Sequence, residues 1–310
     1  MSVSARLFCL DTVMIDVVVR IAEVPESGGD VLASEHLITT GGGYNAMSAA
    51  ARQGVSAVYA GRLGRGPFSA IARSSLAQDH ITEPIEADET HDAGFCVAMI
   101  DDDGERTFIT APGAEALLRS LDLSSLDVRS GDYVLISGYN VMYPGSAEIV
   151  LEFLANLNDE VVVAFDPSNR VMDIPEANLR RVLARADWTL CNETEASLLT
   201  SEDSLVNSVV ALAKKTGRCG VVVRHGASGC TVLAKNGTAV HVEGFDVAVV
   251  DTNGAGDTHS GVFLAELTLG TDVLEAARRG NAAAASAISV LGPASCPGRD
   301  VVTAMIAKLS

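Results

Sequence analysis

The sequence predicts a three-layer α/β/α sandwich carrying a small β-sheet lid. Short β-branched runs alternate with Ala- and Leu-rich helical stretches along most of the chain. Alternation of that kind builds a doubly wound α/β domain. Two stretches break it, strand following strand with only a turn between, and their four strands have no helices to cover them. The chain therefore reads as a single domain over 1–310. Its lid comes from about 12–39 and 91–112, and the remainder forms the main α/β unit.

The elements follow in order. Thr12–Ile21 and Asp30–Ile38 are the first lid pair, joined by the turn Pro25-Glu26-Ser27-Gly28-Gly29. Helix Asn45–Gln53, strand Val55–Ala60 and helix Phe68–Leu76 lead to the second pair. That pair, Gly94–Asp101 and Glu105–Thr110, is a hairpin around Asp102-Asp103-Gly104. Alternation then resumes with strand Tyr133–Ser137, helix Ala147–Leu157, strand Val161–Asp166, helix Glu176–Leu183 and strand Trp188–Cys191. Helices Glu193–Leu199 and Ser208–Lys215 precede strand Gly220–Arg224. The near-continuous apolar character of these strands suits a parallel sheet covered on both faces. Asn236-Gly237 marks a type I′ hairpin at the sheet edge. An apolar helix closed by Gly270 follows Gly256, and an alanine-rich helix, Asn281–Leu291, is expected to open at Asn281.

Composition narrows the function. The 310 residues are 48% hydrophobic, enough for a large core. Asp+Glu 40 against Lys+Arg 22 leaves a net charge of −18. Nucleic acid and anionic membranes both need a basic footprint, so neither is an expected partner. An anionic ligand must be held by a local positive device such as a helix N-terminus. No apolar run approaches the ~20 residues of a membrane helix, and the N-terminal residues lack a signal-peptide pattern. The six cysteines are scattered without a CxxC spacing, which suits free thiols in a reducing cytoplasm rather than zinc or disulfides.

The most informative segment is Asp251-Thr252-Asn253-Gly254-Ala255-Gly256-Asp257. A strand end runs into small residues at a helix start, where free amides and the helix dipole attract phosphate. Asp257, in the first turn, is placed to accept a proton from an alcohol facing that phosphate. Near the N-terminus, Gly41-Gly42-Gly43-Tyr44-Asn45 reads as a glycine-rich turn preceding a small-residue helix. These two segments resemble the paired signatures of the ribokinase-like (PfkB) carbohydrate kinases, and the likeness extends over nearly the whole chain.

The resemblance implies roles. Gly254, Ala255 and Gly256 would form the anion hole and Asp257 would be the catalytic base. Gly41, Gly42, Asn45 and Asp16 would bind the sugar. Asn192-Glu193-Thr194-Glu195 matches the family's Asn-x-x-Glu, with Asn192 near the nucleotide phosphates and Glu195 orienting water on Mg²⁺; taken alone it is also a capping pair. Arg224, Gly226 and Gly229 lie where the family binds nucleotide, and Arg224 either pairs with phosphates or forms a local salt bridge. Asn281 matches a position beside the adenine, and Asp166-Pro167-Ser168-Asn169-Arg170 a family variant near Mg²⁺. Asp251 is a candidate for holding K⁺. Gly42 stands where phosphosugar kinases often carry Lys, a loss for which Arg106 and Arg62 are the available substitutes. His259 is expected to pack or to hydrogen-bond rather than act as a base.

The resulting expectation is an ATP- and Mg²⁺-dependent kinase, K⁺-activated, acting on the CH₂OH of a sugar. A nucleoside kinase and a catalytically silent sensor on the same fold are the alternatives. The lid is expected to close over the substrate and to pair two chains into a homodimer, through an outer face carrying Val17, Val19 and Ile21.

Overall fold

The computed structural model of the chain describes residues 4–103, 105–216 and 218–308. Strand β1 (Arg6–Cys9) starts in the main sheet, and the chain then crosses into the lid as β2 (Val13–Arg20) and β3 (Glu35–Gly42). It returns through α1 (Gly43–Arg52), β4 (Ser56–Tyr59) and α2 (Pro67–Gln78), then enters the lid again as β5 (Phe95–Ile100) and β6 (Arg106–Ala111). After α3 (Ser120–Ser124) come β7 (Tyr133–Ser137), α4 (Gly138–Met142), α5 (Ala147–Asn156), β8 (Val162–Asp166) and α6 (Glu176–Arg185). Next are β9 (Trp188–Asn192), α7 (Glu193–Thr200), α8 (Leu205–Thr216), β10 (Gly220–Arg224), β11 (Cys230–Ala234) and β12 (Val240–Val242). Helices α9 (Ala255–Thr268), α10 (Val273–Ala287) and α11 (Arg299–Lys308) finish the chain.

Eight strands form the main sheet in the order β12-β11-β10-β9-β8-β7-β1-β4. Strands β10 through β4 in that order pair in parallel, and β11 and β12 add an antiparallel edge. Successive residues of each strand serve opposite layers. Leu7, Leu135, Leu190 and Val222 pack under α1, α9 and α10, while Phe8, Ile136, Phe165 and Val223 pack under α5, α6 and α8. Among the described residues no helix is long and apolar enough to cross a membrane.

The separate four-stranded sheet is present, in the order β3-β2-β5-β6, with β2 and β5 parallel. Gly104, in the expected hairpin turn, lies outside the described residues. Three expectations need correction. The second lid strand begins at Glu35, not Asp30, and runs through Gly42 straight into α1, so the glycines end a strand instead of making a turn. The helix containing Asn281 begins at Val273, capped by Asp272, and ends at Ala287, so Asn281 sits inside it. The outer lid face is also more covered than expected. Ile21 is buried, Val17 packs on the core, and Val19 is half-buried. The exposed apolar residues on that face are Ile38 and Ile109, which flank Val17 and Val97 in register.

One close approach fixes the frame of the site. Helices α1 and α9 cross where a Cβ on Gly261 would stand 2.2 Å from the Ala46 carbonyl oxygen. Any side chain at position 261 would separate the two helices, and with them Asn45 from Asp257.

Candidate active site

A cleft of about 1150 Å³ lies between the lid and the carboxyl ends of the central strands. Ser137, Asp166, Asn192 and Arg224 all line it, and each is the last residue of its strand. Open α/β sheets present their ligand sites at this edge.

Asp257 stands in the first turn of α9. Gly254 takes a left-handed φ of 73°, and a Cβ there would meet the Pro293 carbonyl at 2.3 Å, so only glycine fits. The first intrahelical bond runs from Thr258 N–H to the Gly254 carbonyl, 2.8 Å. The amides of the first turn before it have no partner inside the helix. Asn45, buried on α1, donates through Nδ2 to Asp257 Oδ2 at 2.9 Å. Burial raises the Asp257 carboxyl to about 6; the Asn45 bond opposes that rise and Asp166 adds to it.

The glycine run next to α1 has a packing reason. A Cβ on Gly41 would stand 2.2 Å from an Asp16 carboxylate oxygen, and one on Gly42 2.1 Å from the Thr12 carbonyl. A Cβ on Gly43 would meet Asp11 at 2.9 Å. Three bare backbones thus bring the Asp11–Asp16 segment against the start of α1. Asp16 lines the cleft. Asp11 also lines it, and sequence reasoning missed it, because a lone Asp after an apolar strand reads as a turn residue. Burial and the Asp257 charge raise both carboxyls, Asp11 to about 7 and Asp16 to about 6.

Arg224 is a largely covered cation of the site, its side chain 13% exposed. Its Nη2 lies 3.2 Å from Asp166 Oδ2 and 3.9 Å from Glu195 Oε2, and its Nη1 donates to Ser260 Oγ at 2.7 Å. Burial works against its charge, but Asp166 and Glu195 overcome that and hold it above its ordinary value. The local salt bridge, one of the two expected uses, is therefore made, directly beneath Gly256. Asn192 and Glu195 form a full capping box, Glu195 N–H to Asn192 Oδ1 at 2.9 Å and Asn192 N–H to Glu195 Oε2 at 2.8 Å. Burial and neighbouring Asp166 raise the Glu195 carboxyl.

An apolar part of the cleft, termed the slot, is lined by Phe245, Val247, Ala284, Ala285 and Ile288, and Gly226 and Gly229 line the same cleft. Gly229 has φ 94° and no room for a Cβ beside the Val242 carbonyl. Asn281 reaches this slot, but its Nδ2 donates to the Val242 and Glu243 carbonyls at 3.0 Å each, tying down the slot's rim.

Two cations have other duties. Arg62 is buried on Asp88 at 3.0 Å, close to Asp122, and does not line the cleft. Arg106 does line the cleft, but its guanidinium sits 3.0 Å from Asp251 Oδ1. Asp251 also accepts from Asn253 N–H and Gly292 N–H. Arg170 lies at the exposed rim, bonded to Asp173.

The profile of the pfkB family carbohydrate kinase matches residues 4–298. The chain is 30% identical over 291 residues to an uncharacterized sugar kinase of Escherichia coli, covering 93% of this chain and 89% of that protein. It is also 30% identical over 297 residues to the ATP-dependent ribose-1-phosphate kinase of Halopiger xanaduensis, covering 94% and 95%. Among solved structures, Thermotoga maritima ribokinase superposes with a TM-score of 0.85 at 24% identity, over 98% of this chain and all of that one. Arabidopsis thaliana ribokinase complexed with ribose and ATP gives 0.80 at 24% identity, over 98% and 99%. These two likenesses are of fold.

The raised carboxyls make a stability prediction. A carboxyl with a raised folded pKa binds its proton more tightly folded than unfolded. Its contribution is therefore lost as pH climbs from about 4 through about 6 to 7, and is flat above. The ligand-free protein should melt at a higher temperature at pH 5.5 than at pH 7.5. Asp11→Asn should reduce that difference, and scanning calorimetry at both pH values checks it. An unchanged difference in the variant would remove Asp11 as the cause.

Proposed function

The chain belongs to the pfkB family of carbohydrate kinases, and from that premise we propose that it moves the γ-phosphoryl group of ATP to a CH₂OH of a sugar, with Asp257 as base. One observation carries this reading. A carboxylate fixed by Asn45 stands at a helix start whose first amides have no partner inside the helix, Ala255 N–H making only a long 3.4 Å contact to the Thr252 carbonyl, and it faces Asp11 and Asp16 under the lid. Two further carboxylates suit the paired hydroxyl donors of a sugar. The Asp257 oxygen not engaged by Asn45 takes the proton of the attacking hydroxyl. The amides of Gly254, Ala255 and Gly256 meet the charge growing on the transferring group, and Arg224 adds a fixed positive charge beneath them. The apolar slot with Gly226, Gly229 and Asn281 receives the nucleoside.

Mg²⁺, when bound, would supply neutralisation of the phosphate charge. Asp166 and Glu195, two clefted carboxylates sharing the single cation Arg224, fit a hydrated divalent ion. Besides Arg224, already shared by Asp166 and Glu195, the arginines lining the cleft among the described residues are Arg170 and Arg106, so these would have to meet a phosphate already on the sugar. The mainly buried free cysteines suit a cytoplasmic enzyme.

K⁺ activation rests on Asp251. Because Arg106 engages that carboxylate, K⁺ can be held there only if Arg106 withdraws with the lid. The exposed Ile38 and Ile109 on the outer lid face support a homodimer, since exposed apolar sheet faces recruit partners.

Three measurements follow. Asp257→Asn should keep ATP binding and lose about 10²–10⁴ in turnover, the usual weight of a general base; turnover near wild type on the best sugar of a panel of sugars, sugar phosphates and nucleosides would reject the base. Rates at fixed Mg²⁺ should be higher in K⁺ than in Na⁺ or Tris, and equal rates would refute the K⁺ reading. Light scattering at micromolar concentration should give twice the 32.2 kDa chain mass. Ile109→Asp should shift the mass toward one chain, and a wild-type mass of one chain would reject the dimer.

A further inference from the structure

His259 lies two residues beyond Asp257 on α9, with 2% of its surface exposed. Its ring stacks on Phe263, centroids 6.4 Å apart and planes 18° from parallel. On the other side it abuts α10, where a Cβ on Gly280 would stand 3.0 Å from the ring. Glycine at 280 makes the space, and the ring is fixed in it. For packing alone a phenyl ring would serve in the same place. The imidazole instead brings two nitrogens, and neither Nδ1 nor Nε2 finds a hydrogen-bond partner in the protein. Among the described residues it is the one side chain with two such buried atoms. The neighbouring Asn281 lies close enough to the ring to oppose the fall of its pKa slightly, but makes no hydrogen bond of normal geometry to it, and its amide nitrogen is committed to the Val242 and Glu243 carbonyls. Leaving buried polar atoms unpaired costs stability, so a fold that keeps them is holding them for a ligand.

His259 lines the same cleft, at the junction between the phosphate cradle at Gly256 and the apolar slot at Asn281. We infer that His259 is a nucleoside-binding residue whose imidazole hydrogen-bonds the nucleoside part of the phosphoryl donor. The inference rests on the assignment of that slot to the nucleotide. The protonation state favours nucleoside over phosphate. Burial, with the Arg224 charge nearby, pushes the ring's pKa down to about 3, so it stays neutral at working pH. A neutral imidazole offers one donor and one acceptor, which matches a hydroxyl or a base edge. An acceptor-only phosphate would leave half of it unused.

The test compares wild type, His259→Phe and His259→Gln by thermal unfolding and by titration with Mg-ATP and with magnesium tripolyphosphate, which has no nucleoside. In His259→Phe the ligand-free protein should melt higher, because the unpaired nitrogens are gone. Its ATP affinity should fall about tenfold, the weight of one or two hydrogen bonds, while tripolyphosphate affinity changes less than twofold. His259→Gln, which keeps a donor and an acceptor, should recover part of the ATP affinity. If His259→Phe does not fold, an ATP affinity closer to wild type than tenfold in His259→Gln supports the inference, and a larger loss overturns it. Wild-type ATP affinity in His259→Phe, or equal weakening of both ligands, overturns it and leaves the slot assignment standing. A wild-type protein that binds tripolyphosphate as well as ATP removes the slot assignment, and this inference with it.

Discussion

The hydrogen bond from Asn45 to Asp257 joins two helix N-termini that the sequence places far apart. One helix follows directly from the lid strand β3, and the other carries the proposed anion hole. Gly261 lets them cross at backbone contact, and the glycines at 41–43 let the Asp11–Asp16 segment lie against the start of α1. Lid entry, the Asp11 and Asp16 carboxylates and the proposed base Asp257 are therefore referenced to one crossing. The bond also occupies one oxygen of Asp257, a residue that lines the cleft, and leaves the other oxygen free of Asn45.

An acidic chain that handles polyphosphate faces an electrostatic conflict. The site resolves it with fixed positive devices instead of surface charge. Backbone amides at the start of α9 carry no counter-ions and need no reorganisation. Arg224 is largely covered and held by Asp166 and Glu195, so its charge neither wanders nor recruits nucleic acid. Raised carboxyls at Asp11, Asp16 and Asp257 record the other side of the balance. Crowding like charges in one cleft is costly for the empty protein, and ligands bringing hydroxyls and cations relieve it.

Much of this was legible in the residues. The layered fold followed from alternation, and the helix start at Gly254–Asp257 from small residues between a strand and an apolar helix. The separate lid sheet showed as strands without helices. What escaped depended on contacts between distant segments. Gly41 and Gly42 read as a turn because glycine usually breaks strands, whereas here bare backbone is needed against Asp16 and Thr12. The start of α10 was hidden because Arg278, Arg279 and Gly280 interrupt its apolar periodicity. Arg279 is in fact buried on Glu266 at 2.6 Å. Arg62 looked like a free cation until Asp88 was seen beside it. Covering of Val17 and Ile21 could not be read from alternation, which shows two faces of a strand but not what lies over them.

The lid's central pair has a topological consequence. Strands β2 and β5 lie side by side and parallel, yet α1, β4 and α2 intervene between them in the chain. A parallel pair cannot close through a tight turn, and bringing its members together costs loop entropy until the connecting segment is compact. The connecting segment here is part of the main domain, with β4 at the sheet edge and α1 beneath the site. The lid should therefore assemble late in folding, on a scaffold whose binding surface is already laid down. Excised, its strands would lack what aligns them. The cover over the cleft is in this sense a product of the floor.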